Sequence, residues 1–154
     1  MIILDFRVDD EALTKDLGAT PELANAAAIE ETYFVMPVRF AVGSTEFLAY
    51  PGVYDSWRPQ PIIGFATHLF SAVMTSKFEK PALCYVVDGG RLEFDGTEYA
   101  IGIASTLLPG KAESVPSAEL MGAARAFRER VRVLLLQRVP QIRNHPWWTR
   151  WFPE

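Results

Sequence analysis

The sequence predicts an α+β protein: an antiparallel sheet of about six strands with helices packed on one face. Three observations carry that expectation. Apolar residues alternate with period 2 over 2–8, over 33–42 and through 82–103. Two other stretches, 62–76 and about 117–139, place apolar residues at helical spacing. The resulting order is strand, helix, hairpin, helix, meander and long helix, which suits an antiparallel sheet with helices on one side.

Residues 2–8 set Ile2, Leu4, Phe6 and Val8 against Ile3, Asp5 and Arg7, a half-buried strand that Asp9-Asp10-Glu11 ends. A helix is expected over about 20–31, with Thr20 as N-cap, Pro21 at the first helical position and Glu22 in the first turn. Phe34, Met36, Val38, Phe40 and Val42 then share a strand face, with Pro37 marking an edge or a bulge. Gly43-Ser44 permits a turn, and Thr45 to Tyr50 returns as the second strand of a hairpin. The proline-rich stretch 51–61 reads as a loop.

The next helix carries Ile62, Phe65, Ala66, Leu69 and Val73 on its apolar stripe and Gly64, His68, Ser71 and Thr75 on another face. Residues 82–103 read as a three-strand meander, because Asp88-Gly89 and Asp95-Gly96 are dipeptides suited to two-residue type I′ turns. Such turns place Tyr85 opposite Leu92, Leu83 opposite Phe94, Leu92 opposite Tyr99 and Glu93 opposite Glu98, with Leu83, Tyr85, Val87, Leu92, Phe94, Tyr99, Ile101 and Ile103 together on the core face. Pro109-Gly110-Lys111 breaks the chain before a long helix from Pro116 or Ser117 to Val139, stopped by Pro140. Its core stripe is Leu120, Ala123, Ala124, Phe127, Val131, Leu134 and Leu135, and Arg125, Arg128 and Arg132 share an outer face.

A chain of 154 residues is most simply one domain, 1–154, and 49% hydrophobic with 22% charged residues excludes wholesale disorder. No window is apolar for long enough to span a membrane, and the first residues lack the apolar core of a signal peptide. The single cysteine, Cys84, has no internal partner, which fits a reducing compartment; the expected location is cytoplasmic. The net charge of −4 divides as −6 over 1–31, −3 over 32–124 and +5 over 125–154. The basic C-terminal end either meets phosphate or neutralises the acidic N-terminal end, and the acidic total argues against direct nucleic-acid binding.

No catalytic signature emerges. Cys84 lies mid-strand, where a cysteine usually only fills space. His68 and Ser71 are helical neighbours without an identifiable group to orient the imidazole. Two histidines and one cysteine supply no zinc site, and no phosphate-binding glycine pattern is present, so neither metal nor cofactor is expected. Three surfaces could meet a partner. Asp88, Glu93, Asp95 and Glu98 form an acidic surface, read either as a dock for a basic protein or as a solvated face. Tyr54, Trp57 and Arg58, held by prolines, are hot-spot residue types, though Trp57 could equally cover the following helix. The tail, with Trp147, Trp148, Trp151 and Phe152, either docks on its own chain or forms a homodimer contact.

The hairpin Val38–Phe47, the helix Ile62–Leu69 and the strand Tyr85–Asp88 ending in Asp-Gly-Gly with its return to Phe94 give about half the chain a recognisable layout. It resembles small cytosolic immunity proteins of bacterial polymorphic-toxin and contact-dependent inhibition systems. The resemblance implies a non-enzymatic protein that binds and neutralises one cognate toxin, often a basic nuclease. It carries over no contact residues. A small-ligand or enzymatic pocket near His68, and a homodimeric structural subunit, are the alternative expectations.

Overall fold

Two four-stranded antiparallel sheets, in place of one sheet of about six strands, frame the molecule. The structure is a computed structural model and describes residues 1–49, 52 and 55–153. Strand β1 (Ile2–Phe6) is followed by helix α1 (Asp10–Gly18), where the sequence predicts only a break. The acids that end the strand also start this helix: Asp9 accepts from the Ala12 amide at 3.0 Å, and Asp10 and Glu11 fill the acidic first turn. The helix expected over 20–31 is two pieces, a 3-10 turn over Pro21–Leu23 and α2 (Ala26–Thr32). Asn25 caps α2 by accepting from the Ala28 amide at 2.8 Å, whereas Thr20 sits at φ +55°.

Strand β2 (Val35–Val42) keeps the predicted alternation and buries Met36, Val38, Phe40 and Val42. Gly43, at φ +58°, and Ser44 turn it into β3, which is only Thr45–Glu46 because Phe47 and Leu48 leave the strand to enter the core. Strand β4 (Arg58–Pro61) occupies the stretch expected as loop, pairing Met36 with Gln60 and Pro37 with Pro59. The Ile62 amide donates to the Phe34 carbonyl at 3.1 Å, so the even-numbered residues of β4 hold the ladder. Pro59 and Pro61 therefore turn their nitrogens outward, where no donor is needed. Prolines that look like loop composition are edge protection here.

Helix α3 (Ile62–Thr75) buries the predicted stripe. The second sheet follows in the order β5 (Ala82–Tyr85), β6 (Arg91–Gly96), β7 (Ala100–Ser105) and β8 (Ala112–Pro116). Strand β8 is an addition to the expected meander: Gly110, at φ +78°, turns the chain back instead of simply breaking it. Helix α4 (Ser117–Arg138) keeps its predicted limits to within a residue.

Neither two-residue turn forms. Asp88 and Gly89 do take positive φ, +77° and +80°, but the loop spans Val86–Gly90 and closes with the Val86 amide on the Gly90 carbonyl at 3.0 Å. Cys84 thus faces Leu92, and the one-residue slip exchanges the faces of β5. Ala82 and Cys84 point inward, where their small size admits α3, while Leu83 and Tyr85 point outward. The second turn lies at Thr97–Ala100, where the Thr97 hydroxyl accepts from the Tyr99 and Ala100 amides. Leu92 faces Ser105 rather than Tyr99, a shift of six residues. Six is even, so Leu92, Phe94, Ile101 and Ile103 keep their predicted inward face.

Phe127 of α4 meets Phe6 and Phe65 edge to face at 5.5 and 5.8 Å, joining the first sheet to both long helices. Phe40 and Phe94 stack at 6.5 Å between the sheets. The tail docks on its own chain: Trp148, Trp151 and Phe152 of 148–152 are buried, including the short helix α5 (Trp148–Trp151). His145 Nε2 lies 2.6 Å from the Ala24 carbonyl, and its Nδ1 accepts from the Trp147 amide at 3.0 Å. Asp5 pairs with Arg130 and Asp10 with Arg138, so the basic end of the chain neutralises the acidic one. On the arginine stripe, Arg132 pairs with Glu129 and lowers its carboxyl pKa, while Arg128 lies 3.6 Å over the Phe70 ring.

Gly64 lies where two helices meet most closely on a glycine. A Cβ there would run into the Glu30 carbonyl of α2, whereas nothing lies within 4 Å of a Cβ on Gly122. Gly64→Ala should cost about 1–3 kcal/mol by overpacking. Gly122→Ala should gain about 0.5–1 kcal/mol from helix propensity. Urea unfolding of the two variants beside the parent checks both signs.

Candidate protein-binding groove

The outward face of α3 and the edge of β5 enclose a groove. Because Gly64 lets α2 lie directly on α3, the Glu30 side chain reaches His68, with Oε1 2.7 Å from Nε2. Its other oxygen accepts from Trp151 Nε1 at 3.3 Å, so the buried tail helps to hold the carboxylate. Glu30 is largely covered, with its side chain 14% exposed, and the imidazole is half exposed at 50%. This supplies the orienting group for His68 that the sequence does not reveal. Thirty-eight residues separate the pair, and the one local trace is a glycine on an otherwise well-filled helix.

Across from His68 stand Leu83 and Tyr85, which the register slip has turned outward; Tyr85 is 67% exposed. One cleft of about 380 Å³ lies between Glu30, Glu31, Gln60, His68 and Tyr85, and a second of about 260 Å³ lies between His68, Thr75, Glu79, Leu83 and Tyr85. His68 and Tyr85 belong to both. The described lining carries three glutamates and no lysine or arginine.

The residues predicted to bind a partner are spread more widely than expected. Asp88 is in the β5–β6 loop and pairs with Arg58 at 2.9 Å, which joins the two predicted surfaces at one end of the groove. Trp57 lies beneath the Arg7 guanidinium at 4.0 Å. Tyr54 lies outside the described residues. Glu93 and Asp95 lie on the outer face of β6, beside a shallow hollow of about 410 Å³ left by the small residues Gly102, Ala104 and Ala112. Asp95 binds Lys80 at 2.8 Å, and Glu93 stands 4.0 Å from Arg91. Glu93 faces Ala104 rather than Glu98, and Glu98 stands apart in the Thr97–Ala100 turn. The acidic surface is therefore partly compensated, and exposed pairs of this kind contribute little energy. Glu31, Glu79, Leu83 and Tyr85 were not foreseen as a site.

Among the described residues no cluster of three His, Cys, Asp or Glu side chains could hold a metal, and no helix is long and apolar enough to cross a membrane. No protein-family model matches the chain, and no curated protein or solved structure matches it either.

Cys84 lies directly beneath the groove strand, and burial pushes its thiol up from the ordinary value of 9 to about 12. The unfolded chain releases this proton first as pH rises, so the contribution to stability is complete below about pH 9 and is lost above it. Between about pH 9 and about pH 11 the parent should lose up to ~1.4 kcal/mol per pH unit more than Cys84→Ala. Urea unfolding of both proteins across that range reads the difference.

Proposed function

We propose that this chain is a non-catalytic binding protein that occludes a basic protein partner, in the immunity-type role that the resemblance implies. The observation supporting it is the groove beside β5, where exposed Leu83 and Tyr85 lie among Glu30, Glu31 and Glu79. A large aromatic supplies contact area at small entropic cost, and surrounding charge of one sign speeds encounter with its opposite. The net charge of −4 adds to that steering. Of the residues expected from sequence, Arg58 and Asp88 stand at one end of this centre, where charges contribute to specificity more than to affinity, while Glu93, Asp95, Glu98 and Trp57 lie apart from it. The natural probe is the purified product of the neighbouring upstream gene, titrated calorimetrically. A stoichiometric complex is expected. Glu31→Lys and Glu79→Lys together should weaken it by about tenfold or more, and Glu93→Lys with Glu98→Lys by less. Absence of a complex, or an affinity indifferent to the first pair, removes the reading.

A small-ligand pocket is the second reading, favoured by the 380 Å³ cleft and by the carboxylate held against His68 at 2.7 Å. A ligand present at about 100 times its Kd should add ~2.7 kcal/mol of stability, readable as a raised melting temperature. That rise should vanish in His68→Ala. A screen in which every shift survives the substitution excludes the pocket.

A further inference from the structure

We infer that the open edge of β5 takes up an extended, basic segment of a protein partner as an added β-strand. The inference rests on the binding-protein reading and specifies how the groove would be used.

Hydrogen-bond parity places the free rungs. The Val86 amide bonds Gly90, so Cys84 and Ala82 continue that ladder toward β6. From the other side, the Thr106 amide bonds the Arg91 carbonyl, so odd-numbered residues of β6 face β7. The amides and carbonyls of Leu83 and Tyr85 therefore point away from the sheet, into the groove; the Tyr85 carbonyl takes one long contact, from Cys84 Sγ at 3.9 Å, which leaves its second lone pair for a visitor. One rung further on, the Val87 amide is already taken by Gln60 Oε1 at 3.1 Å, as an incoming carbonyl would take it.

The edges of β4, β1 and β8 are guarded in recognised ways. Strand β4 turns Pro59 and Pro61 outward. Strand β1 carries Asp5, which accepts from the outward Phe6 amide at 2.9 Å and pairs with Arg130. Strand β8 contains Glu113 and ends in Pro116. Strand β5, Ala-Leu-Cys-Tyr, has no charge and no proline. Its four residues offer about 13 Å of edge, enough for a short added strand with alternate side chains flanking Tyr85. Glu31 and Glu79 stand at the two clefts with no described cation in the lining, which selects lysine or arginine on the visitor. The same charges oppose a second copy of this acidic chain.

The test is amide hydrogen exchange on the full isotope-labelled chain, with and without a capped hexapeptide of alternating lysine and valine. At about 1 mM peptide, exchange at Leu83 and Tyr85 should slow by about tenfold or more. Ala112 and Ser114, the outward amides of β8, should not change, and an alternating glutamate–valine peptide should protect neither strand. Leu83→Pro, which removes one outward donor but no bond to β6, should abolish the effect. Tyr85→Lys, on the exposed face, should do the same without touching the core. No slowing, or equal slowing at β8, overturns the inference. Slow exchange at Leu83 and Tyr85 in a free dimer overturns it in favour of a second copy. A partner complex that leaves both amides fast overturns strand addition while the binding reading stands.

Discussion

The five residues between Tyr85 and Arg91 govern how the two halves of the chain fit together. Their length decides which side chains of β5 turn inward, and the small pair, Ala82 and Cys84, leaves room for α3 to lie close beneath the sheet. A loop of two residues would aim Leu83 and Tyr85 at that helix, and a dense interior has no space for them. The same choice puts a leucine and a tyrosine on the surface. Core packing and the exposed apolar edge are thus two results of one register.

A second constraint works at right angles to the first. The missing Cβ of Gly64 brings α2 onto α3, and the Glu30 carboxylate then joins His68 to Trp151. Through His145 and Ala24 the tail also clasps the segment just before α2. The groove wall is therefore assembled from three distant parts of the chain. Of its acidic lining, Glu30 is held by hydrogen bonds, while Glu31 and Glu79 stand exposed.

Much of this architecture was legible in the sequence. Strands β1 and β2 and helices α3 and α4 show because each buries one face, and burial leaves a periodic trace. Strand β4 was hidden by Pro59 and Pro61, since composition does not tell whether a proline nitrogen faces a partner strand or solvent. Helix α1 was hidden because Asp9 serves equally to end a strand and to cap a helix. The Asp88-Gly89 turn was read correctly in its backbone angles and wrongly in its length, and one residue sufficed to misplace Leu83 and Tyr85, whereas the supposed Glu93–Glu98 contact failed because the second turn lies at Thr97–Ala100 and not at Asp95-Gly96. The pairing of Glu30 with His68 is a product of helix packing and has no local signature beyond Gly64.

The solitary thiol has one more consequence. Cys84 is sealed between β5 and α3, one residue away from each of the two outward amides. A thiol-modifying reagent can reach it only when that strand lifts from the helix. The labelling rate of the unaltered protein is therefore a clock for this one local opening, separate from global unfolding. Anything seated along the strand would slow the clock, so the chain carries its own occupancy sensor.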